Sequence, residues 1–235
     1  MMNIKRFFSL ALMALIIVSA IAAQDGEQQQ TRMDLNGFKT VYDADGLEMR
    51  NRLLKDIGEA VTNGNSNDDI LAALEYMSME GLKNIARARG KILNNYPSVR
   101  LQVSVQLGKT GSAKASEILN QVLNNENDLY VLQETFNSLG ELGFNENDAT
   151  VKAIIWKLRT YNPRSPDALV DRVVLAAINA LDKIERKNNG IKNQDDFREV
   201  QALLDKINKG HFSRPVQERA KKVLEDMLRR DVERK

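Results

Sequence analysis

Apolar residues recur along this chain at three- and four-residue steps, and almost nowhere at the alternating spacing of a strand, so the pattern predicts helices. Five segments align at four-residue steps: Met49-Leu53-Ile57, Val99-Val103-Leu107, Val131-Thr135-Leu139, Val173-Ala177-Leu181 and Val216-Ala220-Leu224. Steps of i, i+4, i+8 lay each set along one side of a helix. Small central residues, Thr135, Ala177 and Ala220, leave room for a neighbouring helix to approach closely. A second pattern follows three of the sets, Ala115-Ile118-Leu119-Val122, Val151-Ile154-Ile155-Leu158 and Val200-Leu203-Leu204-Ile207. Its i, i+3, i+4, i+7 spacing is the single apolar face of a second helix.

Punctuation agrees with this pairing. Pro97-Ser98, Asn127-Asp128, Asn147-Asp148 and Asn193 to Asp196 supply helix starts. Gly108-Lys109-Thr110-Gly111 and Gly140-Glu141-Leu142-Gly143 fall between first and second helices, where glycine lets the chain leave a helix. Anchor spacings are 32 residues from Val99 to Val131, 42 on to Val173 and 43 on to Val216, around the periods of helical-pair repeats. From Met49 to Val99 the spacing is 50, enough for an additional helix around Leu82 to Leu93.

Pro97-Ser98-Val99-Arg100 followed by Val103, Leu107-Gly108 and Gly111, with Val131, Leu139-Gly140 and Gly143 in the next unit, resembles the first helix of a HEAT repeat of the short bacterial kind. The chain departs from that pattern at Leu181-Asp182 and Leu224-Glu225, and its arginines at Arg172 and Arg219 are irregularly placed. The resemblance spans about Leu47 to the C-terminus and is best from Pro97 to Ile184. It implies an all-α fold, a right-handed α-solenoid of four to five stacked antiparallel helix pairs over residues 46–235. Such folds specify function poorly, because they serve mostly as protein-binding scaffolds with unrelated partners.

The N-terminus changes the expected location. Lys5 and Arg6 precede the apolar run Phe7 to Ala20, which ends in Ser19-Ala20-Ile21-Ala22-Ala23, the three-part plan of a secretory signal peptide over residues 1–23. An uncleaved anchor is the alternative, since the run to Ala23 reaches the lower edge of a membrane span, about 17 residues. The chain has no cysteine, which excludes a lipoprotein signal and any disulfide. Residues 24–45, rich in Gln, Asp, Gly and Asn, are expected to form a flexible leader. Subtracting Lys5 and Arg6 from the 34 basic residues leaves them equal to the 32 acidic ones. The mature chain therefore lacks the net positive field of a nucleic-acid binder. Arg214 to Lys235 carries mixed charge with a basic surplus, the composition of a solvated helix face.

Candidate chemistry is sparse. Gly108-Lys109-Thr110 matches the tail of a phosphate-binding loop, but Val103 stands where the first glycine belongs and no strand precedes it. Asp43-Ala44-Asp45-Gly46 and the run Asn63 to Ile70 begin like calcium loops. In the first the glycine comes too early, and in the second Asp68 and Leu74 replace the required glycine and glutamate. His211 is the only histidine, between two helices, with no cysteine or second histidine to complete a zinc site. The pairs Asp68-Asp69, Asp195-Asp196 and Glu225-Asp226 lie at helix starts or on charged faces. No catalytic, cofactor or metal site is expected.

Trp156 is the exception among surface positions. It falls roughly 150° from the centre of its helix's apolar face, at about 100° per residue. Its counterparts are Asn120 and Asp205, and Lys152 and Arg159 share its side. Exposed tryptophan with basic neighbours is the composition of a binding hot spot; alternatively, Trp156 covers the connection Tyr161 to Pro166. The expectation is an exported, periplasmic or secreted, non-catalytic adaptor that binds another protein along its second helices. It takes no nucleic acid or nucleotide and has no membrane span in the mature chain. A self-associating structural envelope component and an accessory subunit of an envelope enzyme are the alternatives. Mass spectrometry of the exported protein should find an N-terminus at Ala23 or Gln24; an intact Met1 in a membrane fraction would mean an anchor.

Overall fold

The computed structural model describes residues 35–44, 46–161 and 163–234, so the expected signal peptide and most of the expected leader lie outside the described residues. The chain is mostly helical. In order, the helices are α1 (Leu35–Ala44), α2 (Leu47–Thr62), α3 (Asp68–Ser78), α4 (Pro97–Lys109), α5 (Ala113–Asn125), α6 (Leu129–Leu142), α7 (Ala149–Leu158), α8 (Ala168–Lys187), α9 (Gln194–Lys209) and α10 (Arg214–Glu233). Both apolar patterns are the buried faces. Val99, Val103 and Leu107 on α4, and Ala115, Ile118, Leu119 and Val122 on α5, are wholly buried. Their equivalents on α6 to α9 follow suit, while the first-helix sets loosen at the two ends, where Met49 and Leu224 are only partly covered.

Contacts run between alternate helices. α2 meets α4, α4 meets α6, α6 meets α8 and α8 meets α10; α3, α5, α7 and α9 do the same, with α1 against α3. Each helix therefore belongs to one of two rows, joined by α3 against α4, α5 against α6, α7 against α8 and α9 against α10.

Three sequence expectations change. The last part of the expected leader is helix α1, because Phe38 and Tyr42, one turn apart, stack at 5.6 Å and bury together against α3. Ten residues are too few to show a period, and docking supplies what sequence periodicity does not. Around Leu82 to Leu93 there is no helix but an antiparallel hairpin, β1 (Arg87–Ala88) and β2 (Lys91–Ile92). Arg89 and Gly90 both turn through positive φ, 48° and 77°, which reverses the chain as a tight hairpin does.

The third change concerns glycine. Gly111 and Gly143 leave their helices through positive φ, as expected, but Gly108 and Gly140 lie inside α4 and α6. They are points of helix contact. A Cβ on Gly108 would lie 2.6 Å from Ser138 Oγ and 3.1 Å from its Cα, and one on Gly140 would lie 3.1 Å from Ala180 Cα. Gly58 occupies the matching place on α2, yet meets only the flexible Gln106 amide, at 3.0 Å.

These contacts predict opposite signs. Gly108→Ala overpacks the α4–α6 contact, which costs about 1–3 kcal/mol and outweighs the gain of about 1 kcal/mol in helix propensity. In Gly58→Ala the Gln106 side chain swings aside and the propensity gain prevails. Denaturant unfolding should show Gly108→Ala less stable than the parent and Gly58→Ala equal or more stable.

Candidate functional site

Charge is buried where second-row helices end. Glu126 follows α5, and its carboxylate receives Arg100 Nε at 2.6 Å together with the backbone N–H groups of Asn127 and Asp128. Arg100 and Glu126 side chains are each 2% exposed. The backbone carbonyl of Glu126 accepts from Lys157 Nζ at 2.5 Å. Glu80, just after α3, repeats the arrangement. Its carboxylate holds Arg50 at 2.6 Å and accepts from the Tyr42 hydroxyl, while its carbonyl accepts from Arg100 at 3.0 Å. Each glutamate thus joins a cation of its own unit to a cation of the next. Cations here satisfy carbonyls left over at helix C-termini.

Burial dominates the titration of Lys157 and Tyr42. It pushes the Lys157 ammonium below the usual lysine range against the pull of Glu126. It pushes the Tyr42 hydroxyl well above the usual tyrosine range, and the Glu80 carboxylate adds to the shift.

The charged C-terminal segment is only partly a solvated face. Asp182, standing on α8 where α6 carries Gly140, holds Arg219 at 2.9 Å and Arg230 at 3.0 Å, while Glu185 holds Arg230 at 2.6 Å and Arg234 at 2.7 Å. Burial would raise the Asp182 carboxyl, but Arg186 and Arg219 overcome it and hold it below the usual range. α10 therefore docks with an arginine-rich inner side and leaves Leu228 and Val232 exposed.

The expected docking residues share one side of α7. Trp156 is 52% exposed, and its indole N–H makes no hydrogen bond among the described residues. Lys152 and Arg159 flank it but are already engaged: Lys152 Nζ lies 3.2 Å from Asp196 and Arg159 lies 3.2 Å from Glu199, both on α9. They fasten α7 to α9, and the indole stands between the two bridges. The sequence missed this because the acidic partners lie 40 residues or more onward.

Other sequence features are accounted for locally. Asp43 accepts from the Tyr76 hydroxyl at 2.8 Å, Asn67 caps α3 through Ile70 N, and His211 is exposed between α9 and α10. Asp128 and Asn193 cap their own helices as expected. Asp148 does not; its carboxylate accepts from Asn145 and from the backbone of Asn193, tying the start of α7 to the start of α9. Among the described residues, no three His, Asp or Glu side chains are grouped to hold a metal ion, and no helix is long and apolar enough to cross a membrane.

These features define an all-helical protein with paired rows of helices. Compared with protein-family models, curated proteins and solved structures, the chain matches none.

Removing one member of a buried pair strands the other. Arg100→Ala and Glu126→Ala should each cost about 3–5 kcal/mol. Denaturant unfolding of the double variant should show a loss smaller than the sum of the two.

Proposed function

We propose that this chain is an exported, non-catalytic scaffold of HEAT type, a solenoid of stacked helix pairs that binds another protein along the row formed by α5, α7 and α9. Contact between alternate helices within each row and the recurring glycine at positions 58, 108 and 140 support the repeat reading. The observation that carries the function is Trp156. A large aromatic held half out of the surface between two fixed ion pairs offers contact area on a rigid base, and such aromatic anchors dominate binding energy. The bridges to Asp196 and Glu199 keep Lys152 and Arg159 in place beside it.

A second reading, a self-associating envelope component, draws on the exposed Leu228 and Val232 of α10, 44% and 73% exposed.

Trp156→Ala should leave stability within about 1 kcal/mol, as for other surface positions, and abolish recovery of a stoichiometric partner in affinity capture from an envelope extract. A loss of 3 kcal/mol or more, about the cost of emptying a core site, would make Trp156 a packing residue. Concentration-dependent sedimentation that Val232→Ser removes would favour self-association.

A further inference from the structure

The hairpin between α3 and α4 is used by none of the above. Every residue from Ile85 to Leu93 is exposed, including the large apolar side chains Ile85, Ile92 and Leu93 at 41%, 38% and 55%. The same segment carries Arg87, Arg89 and Lys91, with Lys83 just before it, and no Asp or Glu occurs between Glu80 and Glu117. Arg87, Arg89 and Lys91 have no side-chain partner among the described residues. In a chain whose other surface cations are largely bridged to carboxylates, this projection is a concentrated, uncompensated positive charge.

Its base is built to hold it out. Asn94 accepts from Ala86 N at 2.8 Å and donates to the Asn84 carbonyl at 2.7 Å, while Asn84 donates to the Tyr76 carbonyl at the end of α3. Gly81 packs so closely on Asn94 and Asn95 that a Cβ would lie 2.7 Å from their backbone. At the tip, Arg89 has φ 48°, a left-handed conformation that asparagine or glycine adopts more readily than a long side chain. A cation is kept at the tip despite a backbone that disfavours it.

The pairing Arg87 with Ile92, and Ala88 with Lys91, alternates the two faces. Arg87 and Ile92 share one face; Lys91 shares the other with Leu93, whose N–H bonds the Ala86 carbonyl at 2.9 Å. Both faces therefore mix a cation with a large apolar side chain. A protein groove would cover one face and leave the other in water. A lipid interface surrounds both faces alike, with apolar side chains at the acyl boundary and cations at headgroup phosphates.

We propose that this hairpin is a docking element for an anionic phospholipid surface. It is independent of the α7 surface, so Trp156→Ala should bind vesicles like the parent.

The test is cosedimentation of the full chain with vesicles of phosphatidylcholine, alone or with about one third phosphatidylglycerol. Because parent and variants share residues 1–34, only their differences are read. The parent should prefer anionic vesicles, and salt should weaken that preference. R87S/R89S/K91S should weaken anionic binding by about two orders of magnitude, the effect of three surface cations. I92S/L93S should also weaken it while keeping the salt dependence. A charge-matched control, R198S/K206S/K222S, should bind like the parent, and far-UV spectra should be the same for all. Equal binding to the two vesicle types, an equal loss in the control, or tighter binding to polyglutamate or to an oligonucleotide than to anionic vesicles would overturn the proposal. Should the triple variant unfold, R89S alone should weaken anionic binding several-fold, and unchanged binding would again overturn it.

Discussion

Successive first-row helices lie so near one another that a Cβ would clash where α4 meets α6 and would crowd the backbone where α6 meets α8. Gly108 faces Ser138, and Gly140 faces the backbone at Ala180. That closeness sets the position of everything attached to these helices. It brings Ser104 Oγ to 3.2 Å from Thr135 Oγ1 and lets Ser138 donate to the Ser104 carbonyl at 2.8 Å. Hydroxyls thus replace part of the apolar contact without leaving buried donors unmet. The small central residues of the four-residue pattern follow from the same constraint, since a bulky side chain at Thr135 or Ala177 would push neighbouring first-row helices apart.

Close packing of the first row leaves the ends of the second-row helices inside the protein, where their carbonyls need donors. Arg100 and Lys157 supply them, and Glu80 and Glu126 compensate the charge so introduced. A buried pair of this kind contributes little net stability but penalises any arrangement that separates its members. It therefore favours one order of units over a slipped one. At the C-terminal end the device changes: Asp182 takes the glycine position and pairs with arginines of α10.

The same economy distinguishes the two unusual surfaces. Around Trp156 the flanking cations Lys152 and Arg159 are bridged to α9, and Lys157, 5.8 Å from the ring centroid, is held at the Glu126 carbonyl. On the hairpin the cations are unbridged and the apolar side chains stand beside them. One surface suits a folded partner with a complementary pocket. The other suits a soft, negatively charged one.

The sequence by itself determined α2 and α4 to α10 with their buried faces, because burial on one side imposes a period that survives without any knowledge of the neighbour. It also determined the caps at Asp128 and Asn193, whose side chains reach N–H groups two and three residues onward; it set Trp156 off the apolar face of its helix, but the half-exposed indole is a finding of the tertiary structure. Only the tertiary structure decided features that depend on residues far away in the chain. Gly108 and Gly140 read as exits until Ser138 and Ala180 stand against them. Tyr42 reads as part of a leader until Glu80 and Arg50 receive it. Lys152 and Arg159 read as free cations until α9 arrives with Asp196 and Glu199. The hairpin escaped for a local reason: the spacing of Leu82, Ile85 and Leu93 fits a helix as well as a turn. The positive φ at Arg89 and Gly90 reverses the chain, and the asparagine clamp of residues 84 and 94 closes its base.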